Sequence, residues 1–155
     1  MTSNMPLTLQ SIDQALASLP YRLGPIETRH DEGSWFSWFT ARDGHVLWHF
    51  ICEKSVLDLL ASPASLPKDY FDADLWARLA LGRKLFHADP ESKDRVPRTV
   101  EDLVRHLAML RQPVSEALEQ ESWPDLRRRL VRHGHQRNYE MFGKPIPGSE
   151  ADGPT

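Results

Sequence analysis

The chain of 155 residues contains a single cysteine, Cys52, and no long apolar run. One cysteine excludes an internal disulfide, which is typical of a protein kept in a reducing compartment. No segment approaches the roughly 20 apolar residues that cross a membrane. Met1 to Leu19 lacks the basic start and continuous apolar centre of a signal peptide. These absences favour a cytoplasmic protein without a membrane partner.

Sequence motifs for common chemistries are absent as well. We find no Gly-x-Ser-x-Gly elbow, phosphate-binding loop, dinucleotide-binding fingerprint or Cys-x-x-Cys pair. Cys52 closes an apolar segment, so we expect an inert buried thiol rather than a nucleophile. The formal net charge of −3 gives no overall attraction to nucleic acid. The sequence therefore predicts no catalytic residue, no metal site and no cofactor.

The composition is that of a folded globular protein, with 40% hydrophobic and 26% charged residues. We predict one domain over residues 1–142, opening with a loose leader from Met1 to Leu7. The charged segment from Asp89 to Arg98 has a proline near each end, which is typical of an exposed loop. Residues 143–155 hold several prolines and glycines, and we predict a disordered tail there.

The most informative segment runs from Ser34 to Cys52. Two aromatic and β-branched runs flank Asp43-Gly44, which predicts a β-hairpin with a type I′ turn. This turn would place Trp38 opposite His49. Large apolar groups fall on both faces of the predicted ribbon, whereas a sheet with one wet face alternates cleanly between apolar and polar residues. We therefore expect the rest of the chain to cover one face, and the chain, a partner or a ligand to cover the other.

The remaining pattern predicts an α+β fold. A short N-terminal helix precedes a three-stranded antiparallel meander, and the C-terminal half is helical and packs on the sheet. Helix starts are predicted where a hydroxyl or carboxylate cap precedes an apolar stripe. The predicted caps are Ser55, Asp72 or Asp74, Thr99 and Ser122. The prolines and glycines predict one helix ending near Pro113, a short helix after it, and a last helix ending at Gly134.

Four residues of the hairpin are candidates for an interface or a pocket: Trp35, Trp38, Trp48 and His49. Tryptophan is enriched at the anchor positions of protein interfaces. Strand alternation places His45 and His49 on one face, but they would lie roughly 13 Å apart on an extended strand. That separation is too large for one metal ion. The alternative is that the hairpin forms part of the core and that His49 is a packed, hydrogen-bonded histidine.

A basic segment near the C-terminus is the second candidate site. Residues 127–144 carry six lysines and arginines but only one acid, although the chain as a whole is acidic. Such a cluster can bind phosphate groups, and Tyr139 and Phe142 could add base stacking. The phosphate-binding candidates are Arg127, Arg128, Arg129, Arg132 and Arg137. The alternative is that these arginines lie on a solvated helix face and neutralise the acidic remainder.

Three functions follow, in order of preference. The first is a small non-catalytic protein-binding module of bacterial type, such as a regulator, a chaperone or a neutraliser of another protein, with a homodimer as one arrangement. The second is binding of nucleic acid or a phosphate ligand through the basic C-terminal helix. The third is a small enzyme or ligand-binding protein with a pocket beside the aromatic hairpin.

Overall fold

The computed structural model describes residues 7–33, 35–54, 56–85 and 99–143. Most of the predicted leader, the Asp89–Arg98 loop and all but the first residue of the predicted tail lie outside these ranges. The fold is α+β, as predicted, with an antiparallel sheet and flanking helices. The strands are β1 (Glu27–Asp31), β2 (Phe36–Asp43), β3 (Val46–Glu53), β4 (Val56–Pro63) and β5 (Phe71–Asp72). The helices are α1 (Leu9–Leu16), α2 (Ala73–Ala80), α3 (Val100–Gln120) and α4 (Trp123–Phe142).

The predicted three-stranded meander forms the first part of a five-stranded sheet. The strands are antiparallel and lie side by side in chain order, from β1 at one edge to β5 at the other. The prediction of three strands was therefore too low. The missed strands are β4 and β5, which continue the meander before the helical half begins.

The hairpin turn lies one residue later than predicted. Gly44 and His45 form it, and Asp43 pairs with Val46. Of the two turn residues, only Gly44 has a positive φ, of +63°, and a single left-handed residue at the first turn position is typical of type II′ rather than type I′.

This turn shifts the register of the hairpin by two residues. His49 lies opposite Thr40, and Trp38 lies opposite Ile51. Because side chains alternate with a period of two, a shift of two residues leaves the side chains of β2 and β3 on the faces predicted for them. His45, predicted to share a face with His49, lies in the turn instead.

Strand β4 replaces a predicted helix that would have begun at Ser55. Leu57, Leu59 and Ala61 are buried on one face, whereas Asp58 and Leu60 belong to the other. The alternation is hidden in the sequence because Leu60 adds an apolar residue to the polar phase. Leucine also favours helices, but its propensity is a weak prior that pairing with β3 overrides here.

Two predicted helix ends are wrong. Pro113 lies inside α3, and Gly134 lies inside α4. The buried stripe of α3 continues past the proline to Val114 and Ala117, so packing maintains the helix at the cost of one backbone hydrogen bond. Gly134 has room for a Cβ, 3.8 Å from Leu75, and α4 ends instead at Gly143, whose φ is +71°.

The predicted caps at Asp72, Thr99 and Ser122 are confirmed. Thr99 accepts the Asp102 N–H, and Asp102 in turn accepts the Thr99 N–H, which completes a capping box. The leader prediction was wrong at Leu7, which is 1% exposed and belongs to the core.

The core lies between one face of the sheet, here called the inner face, and the helices. Helix α3 packs on β3 and β4, while α4 packs mainly on α2. Inner-face side chains in the core are Phe39, Ala41, Val46, Trp48, Phe50, Cys52, Leu57, Leu59 and Ala61. Among the described helices, none combines the length and the apolar character that a membrane span requires.

Candidate binding face

The other face of the sheet, here called the outer face, carries mixed chemistry. It comprises Phe36, Trp38, Thr40 and Arg42 of β2, Leu47, His49, Ile51 and Glu53 of β3, and Val56, Asp58, Leu60 and Ser62 of β4. The hydrophobic core that the described helices form with the sheet contains inner-face side chains and none of these outer-face residues. Some residues of the outer face are fully buried, such as Ser62, and others are exposed, such as Val56 at 49%. The part that faces solvent is therefore a candidate functional surface.

A buried hydrogen-bond chain crosses the outer face. The Trp38 Nε1–H donates to His49 Nδ1 at 3.1 Å, and His49 Nε2 lies 2.9 Å from Ser62 Oγ. Because an indole N–H is only a donor, Nδ1 of His49 must be the accepting nitrogen, and Nε2 therefore carries the proton. Burial and the nearby Arg29 charge lower the pKa of His49 to about 4. His49 is consequently neutral at pH 7 and donates to Ser62.

This proton arrangement decides what the pair can do chemically. A histidine that activates a serine accepts the hydroxyl proton on the nitrogen facing it. In this chain that nitrogen of His49 is already protonated, and both His49 and Ser62 are buried. The arrangement fits the packed histidine considered from the sequence, and it supplies no general base for a serine nucleophile.

Tyr70, which precedes β5, packs against the Trp38 and His49 rings of the buried hydrogen-bond chain. Its ring centroid lies 5.1 Å from that of His49 and 6.1 Å from that of Trp38, the latter in an edge-on contact. On the other side, Arg29 donates from Nε to Thr40 Oγ1 at 2.9 Å. Neighbours from two other segments therefore fix the central part of the outer face. Tyr70 and Ser62 were not identified from the sequence, since no local pattern links them to the hairpin.

Asp58 is the one outer-face acid that the fold largely buries. Its Oδ1 has no hydrogen-bond partner among the described residues. Burial, and next the charge of Asp72, raise the pKa of Asp58 to about 7, although the Leu59 N–H and the Arg137 charge oppose the shift. Asp58 therefore exchanges its proton near neutral pH. In the helix that the sequence predicts from Ser55, Asp58 would lie in the first turn.

A network of ion pairs joins α2 to α4 beside Asp58. Arg137 donates from Nη1 to Asp72 at 2.9 Å and to Asp74 at 3.2 Å. Arg78 pairs with Asp74 at 2.9 Å and with Glu140 at 3.0 Å. Asp74 is fully buried, so these partners offset the cost of its desolvation. Within the described ranges no group of acids, histidines and cysteine is arranged to hold a metal ion.

Apolar side chains remain accessible on the outer face, four of them toward the end farthest from the Gly44 turn and the fifth, Tyr70, with its ring against Trp38 and His49. Val56 is 49% exposed and Tyr70 is 39% exposed, while the others are half-buried. In the sheet register, Phe36 and Val56 flank Glu53, and Trp38 neighbours Ile51. The open patch is defined as Phe36, Trp38, Ile51, Val56 and Tyr70.

The structure separates the four hairpin candidates. Trp38 and His49 are hydrogen-bonded partners on the outer face. Trp48 lies on the inner face and is 0% exposed, so it belongs to the core. Trp35 precedes β2, is 59% exposed, and has the Lys54 ammonium 5.2 Å from its ring centre. The hairpin is thus core on one face and partly surface on the other.

The basic candidates lie along α4, and four of the five are paired with acids. Arg137 binds Asp72 and Asp74, while Arg127 lies 3.6 Å from Asp69. Arg128 pairs with Asp125, and Arg129 pairs with Glu121. Arg132 is exposed and has no carboxylate partner within the part of the chain that the structure describes. The positive charge of this segment is therefore largely compensated locally.

The exposed edge of the sheet is protected against pairing with another strand. All five residues of β1 are exposed, and four of them are charged or histidine. The pairing of β1 with β2 is also irregular between Thr28 and His30. Charged residues and bulges are features that keep edge strands from pairing between molecules. A partner would therefore meet the face of the sheet more readily than this edge.

The comparisons with known proteins add no relative. No protein-family model matches the chain, and neither the curated proteins nor the solved structures gave a significant match.

Proposed function

We propose that this chain is a non-catalytic protein-binding module whose partner docks on the open patch. The observation that carries the proposal is a set of accessible apolar side chains on the outer face: exposed Val56, half-buried Phe36, Trp38 and Ile51, and exposed Tyr70, whose ring packs against Trp38. Single exposed apolar residues are ordinary, but several accessible apolar residues on one face, including a tryptophan and a tyrosine, are typical of an interaction surface; exposed Glu53 lies between Phe36 and Val56 and would form part of it.

The patch is also held in place before any partner arrives. Trp38 is fixed by its hydrogen bond to His49 and by the edge-on contact with Tyr70. A side chain that is already ordered loses less conformational entropy on binding. In this proposal His49 acts as a positioning residue, because it orients Trp38 without reaching the surface itself.

Substitutions on the patch provide the test. Val56→Glu and Tyr70→Glu place a charge on exposed patch positions, and Leu9→Glu is a matched control because Leu9 is 45% exposed on α1. The tagged proteins would be used to capture partners from host lysate, with and without nuclease, and the affinity of any captured protein would then be measured. We expect one protein that survives nuclease and binds both patch variants more than about tenfold more weakly.

The control variant should bind like the unsubstituted chain. Equal binding by all three variants would contradict a role for the patch. Capture of no protein in either arm would exclude a stable partner in that lysate. A concentration-dependent change of mass that Val56→Glu abolishes would identify the partner as a second copy of the chain.

Nucleic-acid binding through α4 is the second candidate, and one observation favours it. Arg132 is exposed and has no carboxylate partner among the described residues. It precedes Tyr139 by seven residues, which is about two helical turns, and Tyr139 and Phe142 are 55% and 64% exposed. An arginine beside aromatic rings suits single-stranded nucleic acid. Arg132→Glu should then abolish a nuclease-sensitive, salt-dependent association while leaving capture through the open patch unchanged.

An enzymatic role has less support than either binding role. His49, the histidine of the aromatic hairpin, is buried and neutral, and both of its ring nitrogens are hydrogen-bonded. A reacting group needs access to its substrate and a free position toward it. The pocket hypothesis is therefore better placed at the other end of the outer face, where an open groove exists.

A further inference from the structure

A groove of about 580 Å³ opens at the end of the outer face near the Gly44 turn. Thr40 and Leu47 line it from the sheet, and Pro67 lines it from the segment between β4 and β5. Residues 22–25, which precede β1, form another part of its lining. The arginine groove is defined by these sheet residues together with Arg22, Arg29 and Arg42.

The three arginines outnumber the acids available to neutralise them. Asp43 also lines the groove, but both of its oxygens accept from Arg111, at 2.8 and 3.2 Å. Glu27 is the other acid, and it lies 3.4 Å from Arg29. Arg22 and Arg42 have no carboxylate partner anywhere in the described ranges. The groove therefore carries an excess of positive charge in a chain whose net charge is −3.

The backbone holds these arginines close together. The Gly24 N–H donates to the Arg42 carbonyl at 2.7 Å, and a Cβ on Gly24 would lie 3.2 Å from that oxygen. This close approach ties the segment carrying Arg22 to the end of β2. Arg29 is held by the hydrogen bond from its Nε to Thr40 Oγ1. Arg42 donates from Nε to the Gly44 carbonyl, which leaves its two terminal Nη groups available for a ligand.

We propose that the arginine groove binds a small organic oxyanion. Guanidinium groups bind phosphate and carboxylate oxygens through paired, charge-assisted hydrogen bonds. Leu47 and Pro67 provide apolar contacts for the rest of the ligand. A phosphate monoester should bind most tightly, because it carries more charge and more acceptor oxygens than a carboxylate. This proposal does not depend on the open patch and can fail without affecting the protein-binding proposal.

Calorimetric titrations at constant ionic strength test the groove with three probes: inorganic phosphate, phenyl phosphate and benzoate. We expect phenyl phosphate to bind more tightly than the other two. The double variant Arg22→Gln and Arg42→Gln should weaken its binding roughly ten- to a hundredfold, since two charge-assisted contacts are removed. Both positions are exposed, so the variant should fold normally, and an unchanged circular dichroism spectrum would verify this.

Arg83→Gln is the matched control, because Arg83 is exposed, has no carboxylate partner among the described residues and lies outside the groove. It should bind phenyl phosphate like the unsubstituted chain. Equal binding by the double variant and the control would overturn the proposal. So would the absence of binding to the unsubstituted chain. A benzoate affinity equal to that of phenyl phosphate would overturn the preference for a phosphate monoester.

Discussion

The two faces of one sheet differ in what they bury. The inner face of β2 to β4 is almost entirely apolar and lies under the helices, with Phe39, Trp48 and Phe50 at zero exposure. The outer face buries polar groups instead, among them His49 and Ser62, and leaves an apolar patch accessible. Stability thus comes mainly from the inner face. The outer face contributes less to the free energy of folding, because the hydrogen bonds of its buried polar groups must first offset the cost of removing those groups from water.

The largest expected effect on stability comes from truncating one side chain on each face. The two losses in the free energy of unfolding then compare the contributions of the faces directly. Phe50→Ala removes a fully buried ring and should lower the free energy of unfolding by about 3–5 kcal/mol. Ile51→Ala, the next residue along β3, faces the other way and is half-buried, so it should cost about 1–2 kcal/mol. Urea denaturation of both variants provides the measurement. Equal losses would show that the outer face contributes to the core as much as the inner face does.

The second prediction concerns pH and the two titrating groups of the outer face. The pKa of His49 falls from 6.5 to about 4, so its contribution to stability is complete above pH 6.5 and decreases as the pH drops toward 4. The pKa of Asp58 rises from 3.8 to about 7, so its contribution is complete below pH 3.8 and decreases as the pH rises through 7. Between pH 4 and 6.5 the two slopes oppose each other and nearly cancel.

The substitution Asp58→Asn removes the titration of Asp58, so that the pH dependence due to His49 is no longer cancelled. The variant should be similar to the unsubstituted chain at pH 4 and more stable at pH 8 by about 2–4 kcal/mol, since each pKa unit corresponds to about 1.4 kcal/mol. Denaturation of both proteins at a series of pH values, compared as differences, removes the contributions of all other groups. Exposed Asp125→Asn is the control and should show no such rise with pH. A constant difference across the series would contradict the raised pKa of Asp58.

The difference between the two faces also explains which strands could be predicted from the sequence. Aromatic residues flanking Gly44 predicted the hairpin and the partition of its two faces, because a period of two survives an error in the turn. Strand β4 was not predicted because its outer-face positions include Leu60 as well as Asp58, which hides the alternation of apolar and polar residues. Helix α4 was predicted too short because a glycine was interpreted as a stop, whereas only a left-handed glycine such as Gly143 ends the helix.

The candidate sites were predictable only where they are local in sequence. Trp38 and His49 share a hairpin, and their common face followed from alternation. Ser62, Tyr70 and the arginine groove combine segments that are distant along the chain, so no spacing rule reveals them. Which aromatic residues would be buried was equally hidden, because helix packing decides it rather than composition.

The smallest predicted effect compares one substitution on both faces. Trp38→Phe removes the donor to His49 and leaves a buried Nδ1 unpaired, which should cost about 1–3 kcal/mol. Trp48→Phe removes an indole N–H that has no partner among the described residues, so relief of that unpaired donor offsets part of the lost packing. We expect a cost of about 1 kcal/mol or less for Trp48→Phe.

Chemical denaturation ranks the two variants, and nitrogen NMR of His49 separates the causes. In the Trp38→Phe protein the imidazole should no longer be confined to the tautomer protonated on Nε2, whereas Trp48→Phe should leave that tautomer unchanged. A larger loss for Trp48→Phe would mean that ring volume outweighs hydrogen bonding on both faces. An unaltered tautomer in the Trp38→Phe protein would mean that the hydrogen bond with Ser62 alone fixes the tautomer of His49. Trp38 of β2 would then have no part in setting it.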